Sequence, residues 1–226
     1  YGSYYGSIPE IRKLVQENKI AGYSLPQGQL SLLFREIGRG SPGLISTVGK
    51  NTYVDPRLSG GKLNSKTTED VIDIISIDGI KYLFYKSQPV ESALIRGSIA
   101  DQFGNISMIN EPVKTEFLSM AQAARSSGGK VYVQVSEVSK NKLTPNNIDL
   151  PSHLVDSFIL TTDIENDHRY TNKYAIHKGL LNNGEYSDEI INDHDPLYKR
   201  QIGLRALKEL SPNSNVILGQ GVPEIV

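Results

Sequence analysis

Apolar residues recur at helical spacing in three stretches. Leu30, Leu33, Phe34 and Ile37 stand at i, i+3, i+4 and i+7, which predicts an amphipathic helix stopped by Gly38 and Gly40. Ile8, Ile11, Leu14 and Val15 share a face of another, and Ser7-Ile8-Pro9-Glu10 ahead of them reads as a capping box. Phe117, Leu118, Ala121 and Ala124 mark a third, closed by Gly128-Gly129. Between them lie short β-rich runs. These are 22–25 ended by Pro26, 44–48, 82–85, 93–97, 131–135 and 158–160. Asp101 to Asn105 carries hairpin turn chemistry before 106–109, and 51–65 is a long polar loop.

Strands and helices alternate, and several strands are apolar on both faces. The pattern predicts an α/β fold with an open, mostly parallel sheet covered by helices, and the hairpin predicts that the sheet is mixed. After Asp163 the apolar period fades into a run rich in Asn, Asp, His and Tyr. Order resumes with Ile202, Ala206, Leu207 and Leu210 on one helical face, then a Pro212-Asn213-Ser214 turn and a run at Val216-Ile217-Leu218. We expect a first domain over 1–163, a connector over 164–196 and the beginning of a second similar domain over 197–226. One helix, one strand and a loop cannot bury a core by themselves.

Composition narrows the partners. The 226 residues carry 24 basic and 25 acidic side chains, a net charge of −1, with no basic stripe. Nucleic acid and anionic membrane surfaces are therefore not expected partners. No apolar run approaches the roughly 20 residues of a membrane span, and the N-terminus lacks the pattern of a signal peptide. There is no cysteine, so disulfide and thiolate chemistry are excluded. His153, His168, His177 and His194 show no metal-ligand spacing, and no metal is expected. His168 and His177 fall in the polar connector and are expected to be solvated.

Two loops at strand ends could carry function. In Leu25-Pro26-Gln27-Gly28-Gln29, Gln27 sits where a strand hands over to a helix, the end at which α/β sheets bind ligands. Its neutral amide suits a carboxylate or thioester oxygen, and it would equally serve to cap the helix. The terminal Leu218-Gly219-Gln220-Gly221-Val222-Pro223-Glu224 begins as a dinucleotide fingerprint and then places Glu224 where Gly or Ala belongs. A plain strand-to-helix turn is the simpler account of those glycines. Asp55-Pro56-Arg57 reads as an ion pair in a structural loop. Gly60-Gly61-Lys62 lacks the spacing of a phosphate-binding loop. Arg96 reads as the partner of an inner carboxylate.

Taken together, YSLPQGQLSLLFREIGRGSPGLISTVG at 23–49, YVDPRLSGGKLN at 53–64, YLFYKSQPVESALIRGSIADQFGNISM at 82–108, AARSSGGKVYVQVSEV at 123–138 and LGQGVPE at 218–224 resemble the family I CoA-transferases, in particular the single-chain acetate and propionate type. The fold implied is the open α/β unit that sugar-phosphate isomerases also use, present twice. The resemblance implies ping-pong transfer of CoA between a short-chain acyl-CoA and a carboxylic acid such as acetate, through a glutamyl-CoA thioester. CoA is then a substrate, and no other cofactor is needed. Gln27 and Gly28 are implied to face the acyl or carboxylate group, and Gly219, Gln220, Gly221, Val222 and Pro223 to touch CoA. Gln220, Ile217 and Ile225 depart from the Ile, Asn and Gly usual there, at the border of the acyl pocket. The family's nucleophilic Glu follows this loop, so none is assigned here, and its first strand precedes the position of Tyr1. The expectation is an internal fragment, inactive alone, of a cytoplasmic homo-oligomeric enzyme. The competing reading is a non-catalytic binding protein or an isomerase-like protein on the same fold.

Overall fold

A computed structural model describes residues 1–169 and 197–216. The chain divides into two compact units, Tyr1–Leu181 and Asn182–Val226.

In the first unit the elements follow in the order α1 (Pro9–Gln16), α2 (Gln27–Gly38), β1 (Gly43–Ser46), β2 (Ile72–Ile77), β3 (Ile80–Lys86), β4 (Ser92–Arg96), β5 (Ile99–Asp101), β6 (Ile106–Ser107), α3 (Phe117–Ser126), β7 (Lys130–Val135), β8 (Glu137–Ser139), β9 (Ser157–Leu160) and the short α4 (Ile164–Asp167). The strands form three sheets of three, ordered β1-β3-β2, β4-β7-β9 and β6-β5-β8. The second is wholly parallel, the first wholly antiparallel, and in the third β5 pairs antiparallel with β6 and parallel with β8. This is an α/β fold with parallel and mixed sheets covered by helices.

Alternation in β7 shows why a strand forms there. Val131, Val133 and Val135 are each 0% exposed, while Lys130, Tyr132 and Gln134 point the other way. Burying one such side chain stabilises by roughly 1.5–3 kcal/mol. Helix α3 lies between two cores. Ala121 and Ala124 pack with Ile95 and Val133, and Ala123 packs with Leu33, Ile37 and Tyr85. These side chains are small because α2 comes close: a Cβ on Gly38 would meet the Gln122 Cβ at 3.1 Å.

Three expectations change. Pro9 takes the first helical position, so Ile8, and not Ser7 as the capping box required, is the N-cap of α1. Of the apolar face predicted for that helix only Val15 is buried; Ile8, Ile11 and Leu14 are exposed. The strand β2 was not foreseen. It pairs with β3 through a two-residue Asp78-Gly79 turn with φ of 49° and 79°, the conformation that Asp-Gly favours in tight hairpins.

In the second unit the described residues hold α5 (Leu197–Leu207) and a turn at Asn213, whose φ is 64°. Gly203 is buried, and Ile202 and Leu207 of the predicted apolar face are exposed. Residue 216 is not in a strand, and 217–218 lie outside the described residues.

Candidate active site

The segment 22–25 is held from both sides. Gly2 donates its N–H to the Tyr23 carbonyl at 3.0 Å and accepts from Leu25 N at 2.9 Å, a parallel pairing. On the other side Ser24 N donates to the Gly61 carbonyl at 2.8 Å, and Leu63 N to the Gly22 carbonyl at 3.0 Å. Gly61 has φ of 75°, and a Cβ there would fall 2.7 Å from the Ser24 carbonyl oxygen, so only glycine fits.

The loop that presents Gly61 is built around Asp55. This carboxylate is 0% exposed. It accepts from Asn51 N at 2.8 Å, Arg57 N at 3.0 Å, Arg57 Nε at 2.9 Å and Arg57 Nη2 at 2.6 Å. The Arg57 guanidinium holds its carboxyl well below the ordinary carboxylate range although burial pushes the other way. Asp55-Pro56-Arg57 is therefore the structural ion pair expected. Lys62 donates to Asp70 Oδ1 at 2.7 Å and to the Thr68 carbonyl at 3.0 Å, which leaves it committed within its own loop.

The segment 22–25 makes isolated bridges rather than the strand expected; it ends at Pro26, with φ of −59° and ψ of 131°, and α2 starts at once with Gln27. Pro26 acts as N-cap without a side-chain hydrogen bond. Its carbonyl accepts from Gln29 N and Leu30 N, both at 3.0 Å. The amides of Gln27 and Gly28 belong to the first turn, which no intrahelical carbonyl serves. Both residues are exposed, and a Cβ added to Gly28 would meet nothing within 4 Å. Gln27 is thus the first helical residue rather than a cap. The exposed Gln27 and Gly28 thus stand at the positive end of a helix dipole, where the first amides are left for other acceptors. On the rim, Ser24 Oγ and Tyr53 Oη lie 3.3 Å apart, a pair that residue spacing did not reveal.

An apolar cavity of about 160 Å³ lies under α2, lined by Leu25, Leu30, Leu33, Phe34 and Tyr85 among others. The Tyr85 phenol donates to the Val48 carbonyl at 2.7 Å and is pushed up to about 12 by burial.

Arg96 finds its inner carboxylate in Glu111, with Nε 2.7 Å from Oε2. His168 overturns the expectation of a solvated histidine. It is 2% exposed, packed against Glu111. Its polar sequence neighbours hid this, because the pocket it fills comes from distant residues. His177, His194 and the predicted CoA loop of Gly219, Gln220, Gly221, Val222 and Pro223 lie outside the described residues. Among the described residues, no three His, Asp or Glu come together as metal ligands would, and no helix is long and apolar enough to cross a membrane.

Fold and site define an α/β domain that presents neutral donors at the start of α2. Residues 1–160 match the family model described as Coenzyme A transferase. Caffeate CoA-transferase of Acetobacterium woodii is 41% identical over 228 residues, covering 99% of this chain and 43% of that protein. Acetate CoA-transferase YdiF of Escherichia coli K12 is 38% identical over 161 residues, covering 71% of this chain and 30% of that protein. The crystal structure of the acyl-CoA transferase YdiF of Escherichia coli O157:H7, a thioester complex with CoA, superposes with a TM-score of 0.77 at 32% identity, covering 98% of this chain and 44% of that one. The chain belongs to the coenzyme A transferase family. It spans less than half the length of each of these three relatives.

Proposed function

We propose that the chain serves a CoA-transferase that moves CoA between a short-chain acyl-CoA and a carboxylic acid such as acetate. The observation that carries this reading is the neutral donor set at Gln27 and Gly28, in a chain of this family. A glutamate carboxylate attacks the acyl-CoA carbonyl, giving an acyl-glutamyl anhydride and the CoA thiolate. The thiolate attacks the glutamyl carbonyl, the C–O bond of the anhydride breaks, and the acyl group leaves as its carboxylate. An enzyme-bound glutamyl-CoA thioester remains, and an incoming acid reverses both steps. Each attack builds negative charge on a carbonyl oxygen, which N–H donors aimed in advance stabilise. Gln27 Nε2 and the Gly28 amide are our candidates for that role and for holding the substrate carboxylate.

The nucleophile is assigned to no residue of this chain. Of the buried carboxylates, Asp55 and Glu111 are held by Arg57 and Arg96, and Asp101 accepts from Asn105. The same pairings speak against a sugar-phosphate isomerase, which needs free cations to clamp phosphate. CoA contact through Gly219 to Pro223, assembly as a homo-oligomer and a cytoplasmic location, where CoA esters are found, complete the reading; we assign no cofactor besides CoA as substrate.

The test uses the transferase of full relative length alongside chain 1–226. Incubation with acyl-CoA and then borohydride or hydroxylamine traps the glutamyl ester in the former and not in the latter. Replacing Gln27 by Ala lowers kcat of the long form by about 10²–10³, the usual effect of losing one oxyanion donor. Full transfer by chain 1–226 alone, or an unchanged kcat for Gln27→Ala, would overturn the proposal.

A further inference from the structure

Arg96, Glu111, Ser98 and His168 form a buried polar cluster at the carboxyl end of β4, outside the candidate active site. Glu111 Oε2 accepts from Arg96 Nε at 2.7 Å, and Oε1 accepts from Ser98 Oγ at 3.3 Å. Ser98 Oγ in turn accepts from Asn110 N at 3.0 Å. The His168 ring is 1% exposed, with Nε2 3.6 Å from Glu111 Oε1. That separation is too long for a hydrogen bond, and neither ring nitrogen has a hydrogen-bond partner.

His168 belongs to the stretch 163–169, which crosses the carboxyl ends of two adjacent strands. Arg96 on β4 stands opposite Gln134 on β7. Gln134 Nε2 donates to the Asp167 carbonyl at 2.9 Å, and Arg96 Nη1 donates to the Arg169 carbonyl. The imidazole is the only side chain of the stretch that is buried.

We propose that His168 is a proton-operated latch: neutral, it holds 163–169 against the carboxyl ends of β4 and β7, and on protonation it lets them go. A second positive charge in this cluster is opposed by burial and by Arg96 and favoured by Glu111 and the Gly97 backbone. The ring is shut off from solvent, the Arg96 guanidinium of β4 acts on it, and that guanidinium already engages Glu111. Burial pushes the imidazole below its ordinary value, Arg96 pushes the same way, and Glu111 opposes them without prevailing. Gln134, the contact from β7, is neutral. On the stretch itself Glu165, Asp167 and Arg169 are exposed, and Asp163 caps α4. The Asp163 carboxyl is held below the ordinary range by Asn166, so it stays charged where histidine titrates.

The sign follows. The closed form binds the proton less readily than the open form, whose imidazole titrates near 6.5. Closure is complete above that pH and weakens below it, by up to about tenfold for each pH unit, the limit for one linked proton.

Hydrogen exchange in chain 1–226 tests this at the amides of Asn166, Asp167 and His168, with rates corrected for the intrinsic pH dependence of exchange. Their protection is constant from about pH 8 to 7 and falls by up to about tenfold per unit below about 6.5. Amides of 131–135 keep theirs, which separates release from unfolding. In His168→Gln the pH dependence of the three amides disappears, whether the stretch stays closed or not. Wild-type protection that is flat between about pH 7 and 5, a His168→Gln variant that keeps the wild-type slope, or a His168 proton resonance titrating above about 6.5 would each overturn the latch.

Discussion

Asp55→Asn is the sharpest test of how the candidate active site is built. Each Asp55 oxygen accepts two hydrogen bonds, from Arg57 N and Nε on Oδ1 and from Asn51 N and Arg57 Nη2 on Oδ2. An asparagine keeps one oxygen and turns an NH2 toward two donors. Two bonds are lost, and one backbone N–H and one guanidinium N–H are left facing another donor. A hydrogen bond to a charged group is worth roughly 1.5–3 kcal/mol, and breaking a buried pair costs about 3–5 kcal/mol. The Arg57 side chain is 46% exposed and can turn to water, which discounts the upper end. We expect a loss of about 3 kcal/mol, a large part of the 5–15 kcal/mol typical of a domain. Urea denaturation followed by circular dichroism reads it as a fall in midpoint of about 1.5 M for an m-value near 2 kcal/mol/M. The acid limb gives a second readout. Asp55 titrates lower folded than its ordinary 3.8, so its stabilisation is present above that pH and is lost as pH falls below it. Asp55→Asn removes this component, and its stability changes less than wild type between about pH 4 and 2. A stability within about 1 kcal/mol of wild type at pH 7, or an unchanged acid limb, refutes the account of the loop.

Three further substitutions separate packing from function. Gly61→Ala meets both a φ of 75° and a carbonyl 2.7 Å from the new Cβ, and should cost about 2–4 kcal/mol by thermal or urea melts; a cost under about 1 kcal/mol would show that the turn relaxes freely. Gly28→Ala has open space for its Cβ, so it should stabilise α2 by up to about 1 kcal/mol while lowering kcat/KM of the intact transferase; a less stable, fully active variant contradicts the site. Ala123→Leu forces a larger side chain between α2 and α3 where exposure is 0%, and a calorimetric loss of about 1–3 kcal/mol is expected, with no loss meaning that the helices pack less closely than described.

What could be read from residues alone depended on how local the cause was. Helix α2 was legible to its last turn, because its apolar spacing, the Pro before it and the glycines after it all lie within a few residues. The same holds for Gln27: Pro, Gln, Gly and helix are adjacent, so its place at a helix start follows from the order of types. The Asp78-Gly79 hairpin was equally local, and the signal was there, but Ile72 to Ile77 mixes apolar and polar residues too irregularly to announce a strand. Helix α1 misled for the opposite reason. Its period is real, yet period shows only that one face is apolar, not that anything covers it.

His168 marks the limit of local reading. Around it stand Asn166, Asp167 and Arg169, and the composition of that window says solvent. Its burial is decided by Arg96 and Glu111, which a parallel sheet and a hairpin bring together from far along the chain. The Ser24–Tyr53 pair and the seat of Gly61 against Ser24 are of the same kind. A glycine reads in sequence as permission to turn; only the fold shows which carbonyl requires it. The groups that place Gln27 are therefore less visible than Gln27 itself. This is the order to expect when a candidate site consists of helix amides beside a loop whose own anchor, Asp55, is fully buried.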